Sequence, residues 1–196
     1  MLLLHLADIQ EELLRCTWET RDETAQQYYE RKIKRQLRQV QDGKLPGVAE
    51  QDVRDQLALL PQILGDQKDC RDFALEHGDL RSENIIVSEQ CRIIGVIDWG
   101  FAEMVPVVQA ARLPRFLFPS ESAAAAPSDD MIRDRRVYEI SYSSQDSPAA
   151  RAMKRAQTGA DVGFRTLYLE SVKSTDMLKS MASIGWKLPH SDEDRD

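Results

Sequence analysis

The chain has 196 residues, of which 42% are hydrophobic and 30% are charged, and its formal net charge is −7. This length suits one domain with a sizeable core, and the composition is ordinary for a globular protein. The acidic balance argues against nucleic-acid binding, and no apolar run reaches the ~18 residues of a membrane span. Cys16, Cys70 and Cys91 form no C-x-x-C pair, so we expect neither disulfides nor a cysteine metal site, and a cytoplasmic location.

The first third of the chain is predicted to be helical. Leucine and isoleucine recur at helical spacing over residues 2–15, and similar stripes predict helices over residues 23–40 and 50–64. Glycines and a proline at 43–47 separate the last two. Pro61 is expected to kink the third helix or to end it early.

The periodicity changes at Phe73, where a short strand is predicted over residues 73–76. A loop follows at 77–83, and two β-branched runs at 84–87 and 92–97 predict a hairpin. Beyond Pro106 helix returns, with segments predicted over 107–113, 131–140, 148–158 and 161–181. The order of helices, small β-core and helices predicts an α-rich α+β fold. Residues 119–130 are predicted to form a loop, and the polar residues 187–196 a disordered tail.

The loop and hairpin carry a pattern of residues that indicates a catalytic site. His77, Asp79 and Asn84 fit the kinase catalytic-loop pattern H-x-D-x-x-x-x-N, and a D-W-G that begins at Asp98 stands where kinases carry D-F-G. Phosphoryl transfer needs an aligned acceptor oxygen and a neutralised phosphate. Asp79 is the candidate base, while Asn84 and Asp98 offer the oxygen ligands that Mg²⁺ prefers.

Two neighbours of these residues are predicted to support the loop. Gly78 lets the backbone turn closely, and His77 is expected to brace the loop by a side-chain hydrogen bond. The plainer alternative is that Asp79 and Asn84 only cap a turn between two strands. Arg81, inside the loop, is interpreted as a surface charge.

The sequence motif H-G-D-L-x-x-x-N-I-I-V, followed by G-V-I-D-W-G-F-A, resembles the motifs of the aminoglycoside phosphotransferase and choline kinase superfamily. The resemblance implies a protein-kinase-like fold. The continuation to residue 118 is similar to a fungal-type branch of this superfamily, and the resemblance covers about residues 73–118. It implies that Asp79 is the catalytic base and that Asn84 and Asp98 bind Mg²⁺ and the nucleotide. ATP would be the phosphate donor and a small-molecule hydroxyl the acceptor.

The resemblance also implies an N-terminal lobe with a glycine-rich loop, a strand lysine and a helix glutamate. The residues before His77 are predicted to be helical and contain no G-x-G-x-x-G. We therefore expect residues 1–186 to form a C-terminal lobe alone, with the N-lobe absent and activity reduced by truncation. A catalytically inactive kinase-like binding module remains the alternative. We also expect an apolar patch beside Asp79, formed partly by Leu2, Leu3, Leu4 and Leu6.

Overall fold

The structure is a computed structural model that describes residues 2–90, 92–114, 117, 127–143, 146–157 and 162–187, without the side chains of residues 2–5. Most of the predicted loop at 119–130 lies outside the described residues. The predicted tail does too, apart from Lys187. Among the described helices, none has the length and apolar character needed to cross a membrane.

Helices predominate in the described chain, with two small antiparallel sheets, as the α+β prediction requires. The helices are α1 (Leu2–Thr17), α2 (Ala25–Gln41), α3 (Glu50–Leu64), α4 (Val107–Ala110), α5 (Asp129–Ser143), α6 (Pro148–Gln157), α7 (Val162–Ser171) and α8 (Thr175–Ser183). The strands are β1 (Glu19–Thr20), β2 (Asp72–Glu76), β3 (Ile85–Val87), β4 (Ile93–Val96) and β5 (Glu103–Pro106).

The chain divides into two compact units. The first contains Met1–Arg21, Asp72–Ser120 and Ala126–Gly159, and it holds both sheets and the whole catalytic-loop motif. The second contains Asp22–Arg71, Glu121–Ala125 and Ala160–Asp196.

The sheets of the first unit place the motif. One sheet has the order β1-β2-β5, and β2 pairs with β5 so that Phe73 lies opposite Pro106 and Glu76 opposite Glu103. The loop that leaves β2 therefore begins beside the segment that enters β5. The second sheet is the predicted hairpin of β3 and β4, in which Ile85 lies opposite Val96.

Helix α1 anchors this unit by its apolar stripe and one polar residue. It packs on α5 and on β2, and Leu6, Leu14 and Phe73 are fully buried. The side-chain amide of Gln10 donates hydrogen bonds to the backbone oxygens of Ala110 and Arg112, at 2.6 and 2.8 Å. These bonds satisfy two carbonyls at the end of α4 that have no helical partner.

The second unit is built from α2, α3, α7 and α8. A capping box starts α2: Thr24 Oγ1 accepts from the backbone N of Gln27 at 3.2 Å, and Gln27 Oε1 accepts from the backbone N of Thr24 at 2.8 Å. Helices α2 and α3 pack together, with Tyr29, Ile33 and Leu60 fully buried. The stripes predicted from sequence face this core.

Some sequence predictions are wrong. The single helix predicted over 161–181 is two helices, because Ser174 caps α8 with its hydroxyl, which accepts from the backbone N of Met177 at 3.2 Å. Pro61 does not end α3 early, since the helix continues to Leu64. Helix α4 stops at Ala110, before the predicted 113. Strands β1 and β5 were not predicted at all.

Candidate active site

His77, the first residue after β2, ties the catalytic loop to the hairpin. The side chain is only 4% exposed, and Nε2 lies 2.8 Å from the backbone oxygen of Ile97. Nδ1 accepts from the backbone N of Asp79 at 3.4 Å, so Nε2 carries the proton and donates to Ile97. The ring also packs on Trp99, with the centroids 4.5 Å apart. One side chain thus contacts both halves of the motif.

Gly78 sits where no other residue fits without movement. Its φ is +81°, and a Cβ placed on it would lie 2.2 Å from the backbone oxygen of Phe101. The positive φ favours glycine, and the close backbone oxygen of Phe101 leaves no room for a side chain. The close approach of Gly78 to Phe101 therefore holds the catalytic loop against the segment that follows Asp98.

Asp79 and Asn84 are in direct contact. The Nδ2 of Asn84 donates to the backbone oxygen of Asp79 at 2.9 Å and to its carboxylate Oδ2 at 3.2 Å. Asn84 is 6% exposed, whereas the Asp79 side chain keeps 31% of its surface open. None of the described residues donates a hydrogen bond to the Oδ1 of Asn84. The amide therefore orients the carboxylate with its nitrogen and keeps its oxygen available.

Asp98 follows the hairpin at the point where the hairpin is bonded to the catalytic loop. The backbone N of Ile97 donates to the backbone oxygen of Asn84 at 3.0 Å, so Asp98 follows directly on the residue paired with Asn84. Asp98 has φ 63° and ψ 58°, a left-handed conformation that most residues other than glycine, asparagine and aspartate avoid. Its carboxylate is exposed and makes no hydrogen bond or ion pair with any described residue. A sparsely populated backbone conformation that presents a free carboxylate is a recurrent feature of functional sites.

Arg81 belongs to the site, although the sequence suggested only a surface charge. Its Nε lies 3.2 Å from Oδ2 of Asp79, and its side chain is 57% exposed. The signal in the sequence is the spacing of two, because residues i and i+2 project to one side of an extended chain. Arg81 is extended, with φ −131° and ψ 167°.

The oxygen donors of this site fit a magnesium ion. The described residues contain no group of three or more His, Cys, Asp or Glu side chains that could hold a metal. Asn84 is an amide and would not enter such a group, yet its free oxygen and the free carboxylate of Asp98 are hard ligands. Mg²⁺ is commonly bound by one or two protein oxygens together with substrate phosphates and water. Two ligands are enough for that mode.

An apolar surface adjoins the loop. The exposed large apolar side chains of the hairpin and of the segment after it are Ile86, Val87, Ile94, Ile97, Trp99 and Phe101. Trp99 and Phe101 contact His77 and approach Gly78 as described above. The predicted contribution of Leu6 is wrong, because Leu6 is 1% exposed in the core. The side chains of Leu2, Leu3 and Leu4 lie outside the described residues.

A largely buried polar cluster supports the start of the loop, and no sequence pattern indicated it. Glu76, the residue before His77, accepts from Arg112 at 3.0 Å and from the side chain of Gln109 at 2.6 Å. These partners lie 33 and 36 residues away in the chain. The cluster fixes the end of β2, where the catalytic loop begins.

Comparison with known proteins agrees with the motif. Residues 1–109, more than half of the chain, match the phosphotransferase enzyme family, whose members include the aminoglycoside phosphotransferases. The match contains β2, the catalytic loop and the D-W-G segment. The curated proteins and the solved structures gave no significant match. The resemblance to the phosphotransferase superfamily is confirmed, while the fungal-type branch stays a prediction. The chain belongs to the phosphotransferase enzyme family.

Proposed function

We propose that this chain is a kinase-like phosphotransferase that transfers the γ-phosphoryl group of ATP to a hydroxyl of a small molecule. The observation that carries the proposal is the contact between Asp79 and Asn84, and it is supported by the bond from Ile97 N to Asn84 O, which joins the residue before Asp98 to the catalytic loop. A capped turn would explain the first contact alone. It would not explain a free carboxylate on a left-handed backbone at the adjoining position.

Asp79 acts as the base of this reaction. Its carboxylate is held by the amide of Asn84 and stays partly exposed, so a substrate hydroxyl can reach it. The acceptor oxygen attacks the γ-phosphorus as Asp79 takes the hydroxyl proton. The bond from the γ-phosphorus to the bridging oxygen breaks, and ADP leaves with that bond's electrons.

Asn84 and Asp98 are the residues that would hold magnesium, through Oδ1 and the carboxylate. Bound there, the ion supplies charge neutralisation for the phosphates. The low ligand count on the protein agrees with a metal that arrives with the nucleotide. Asp79 is then left free of the metal, as a base must be.

The apolar surface beside the loop supports a nucleotide as the ligand. Ile94 and Phe101 are both more than 60% exposed, which is unusual for large apolar residues next to a polar site. Ligand sites combine apolar walls with a few placed polar groups. This surface is therefore our candidate for the part of the site that holds the purine base.

The test is ADP formation by the purified chain with Mg²⁺, ATP and a panel of small hydroxyl compounds. Asp79→Asn keeps the size of the side chain and removes its basicity, and we expect the rate to fall about a hundred-fold or more. Asp69→Asn, an exposed aspartate of the second unit, is the matched control and should leave the rate unchanged.

Two results would contradict the proposal. Equal rates in the wild type and Asp79→Asn would mean that Asp79 is not the base. Binding of Mg²⁺-ATP without turnover on any acceptor would favour the inactive binding module instead.

A further inference from the structure

We infer that Arg81 is a phosphate-binding residue of this site, and that it exchanges its ion pair with Asp79 for the phosphates of the incoming nucleotide. This inference rests on the proposed function, because it assumes that a nucleotide triphosphate binds beside Asp79. It adds a residue for which neither the catalytic-loop pattern nor the family match specifies a role.

The starting point is the geometry of the ion pair. Arg81 Nε and Asn84 Nδ2 approach the same carboxylate oxygen, Oδ2 of Asp79, each at 3.2 Å. The Asp79 carboxylate is thus bound by two side chains in the structure, those of Arg81 and Asn84. Asn84 is buried and fixed, whereas the Arg81 side chain is 57% exposed. Of the two partners, Arg81 is the one that can leave.

The charges around the loop favour contact between Arg81 and a phosphate group. Residues 77–84 and 97–101 contain three carboxylates, those of Asp79, Glu83 and Asp98. Arg81 is the one lysine or arginine within these two segments. A triphosphate that approaches these carboxylates therefore meets like charges on them and an opposite charge on Arg81.

The exchange is favourable because the two pairings differ in strength. An exposed ion pair between side chains contributes little, so Arg81 loses little by leaving Asp79. A guanidinium offers several N–H groups in one plane and pairs well with phosphate oxygens. When Arg81 moves to the phosphates, the Asp79 carboxylate keeps the Asn84 amide as its partner and becomes open on the side that Arg81 leaves. Nucleotide binding would thus free the base.

The experiment compares nucleotide affinity in four variants by isothermal titration with Mg²⁺-ATP and with adenosine. Arg81→Gln should weaken Mg²⁺-ATP binding about ten-fold, the loss of one charge-assisted contact, and leave adenosine binding unchanged. Arg92→Gln, an exposed arginine at the hairpin turn, is the matched control for the change in charge and should bind both ligands as the wild type does.

Asp79→Asn provides the decisive arm. Without the competing carboxylate, Arg81 is available at the start, so Mg²⁺-ATP should bind more tightly than in the wild type. Arg81→Gln should then cost more affinity in the Asp79→Asn background than in the wild type. A residue that only steadied Asp79 would have no effect on affinity in that background.

The outcomes separate this inference from the proposed function. Unchanged Mg²⁺-ATP affinity in Arg81→Gln, in both backgrounds, would overturn the role of Arg81 while phosphate transfer still stood. ATP binding that depends on Arg81, without transfer to any acceptor, would support Arg81 and contradict the proposed reaction. A chain that binds no Mg²⁺-ATP would contradict both.

Discussion

Replacing Gly78 with alanine tests whether the catalytic loop must touch the segment after Asp98. The new Cβ would lie 2.2 Å from the backbone oxygen of Phe101 and 2.9 Å from its carbonyl carbon, so the two segments must separate. Alanine at positive φ costs about 1–2 kcal/mol. Forcing a methyl group into filled space costs a further 1–3 kcal/mol or so. We expect a total loss of about 2–5 kcal/mol in the free energy of unfolding, together with loss of ADP formation.

Gly43 provides the matched control, since its φ is +72° and a Cβ there meets nothing within 4 Å. Gly43→Ala should show the backbone cost alone, about 1–2 kcal/mol, with no loss of activity. Urea unfolding and ADP formation measure both variants. Equal destabilisation by the two substitutions, or full activity of Gly78→Ala, would refute the idea that the approach of Gly78 to Phe101 positions the loop.

Three further predictions concern Asp98, Glu76 and Ser174. Asp98→Gly should be about 0.5–1 kcal/mol more stable than Asp98→Ala, because glycine relieves the left-handed strain, and both should lose Mg²⁺-ATP binding; equal stability in urea would show that the backbone is unstrained. Glu76→Ala should lower stability by about 3 kcal/mol, because it leaves Arg112 largely buried without this carboxylate, whereas Arg15→Ala breaks an exposed pair and should cost under about 0.5 kcal/mol. Ser174→Ala should cost about 1 kcal/mol by thermal melting, and no loss would mean that the cap does not hold α8.

The sequence predicted those parts of the fold that repeat a pattern over several turns or residues. Helices α1, α2 and α3 have apolar stripes long enough for the helical period to be recognised. The hairpin has two β-branched runs with a turn between them. Strands β1 and β5 have two and four residues and contain no run of β-branched residues like those of the hairpin. The break between α7 and α8 depends on one hydroxyl, that of Ser174, within an otherwise helical pattern.

The candidate site likewise has a part that the sequence predicted and a part that it did not. The motif's spacing predicted that Asp79 and Asn84 share a loop, and the structure joins them by two hydrogen bonds. The ion pair of Arg81 depends on an extended backbone that the pattern does not specify. The support from Arg112 to Glu76 joins distant parts of the chain, and only the pairing of β2 with β5 reveals it. Long-range contacts of this kind leave no local signal.

The most direct test is a crystal structure of the chain with Mg²⁺ and a non-hydrolysable ATP analogue. We predict a magnesium ion about 2.1 Å from the Oδ1 of Asn84 and from a carboxylate oxygen of Asp98, its other ligands being phosphate oxygens and water. The Asp79 carboxylate should face the γ-phosphate without touching the metal. A metal that avoids Asn84 and Asp98, or a nucleotide bound away from Asp79, would contradict the proposed site.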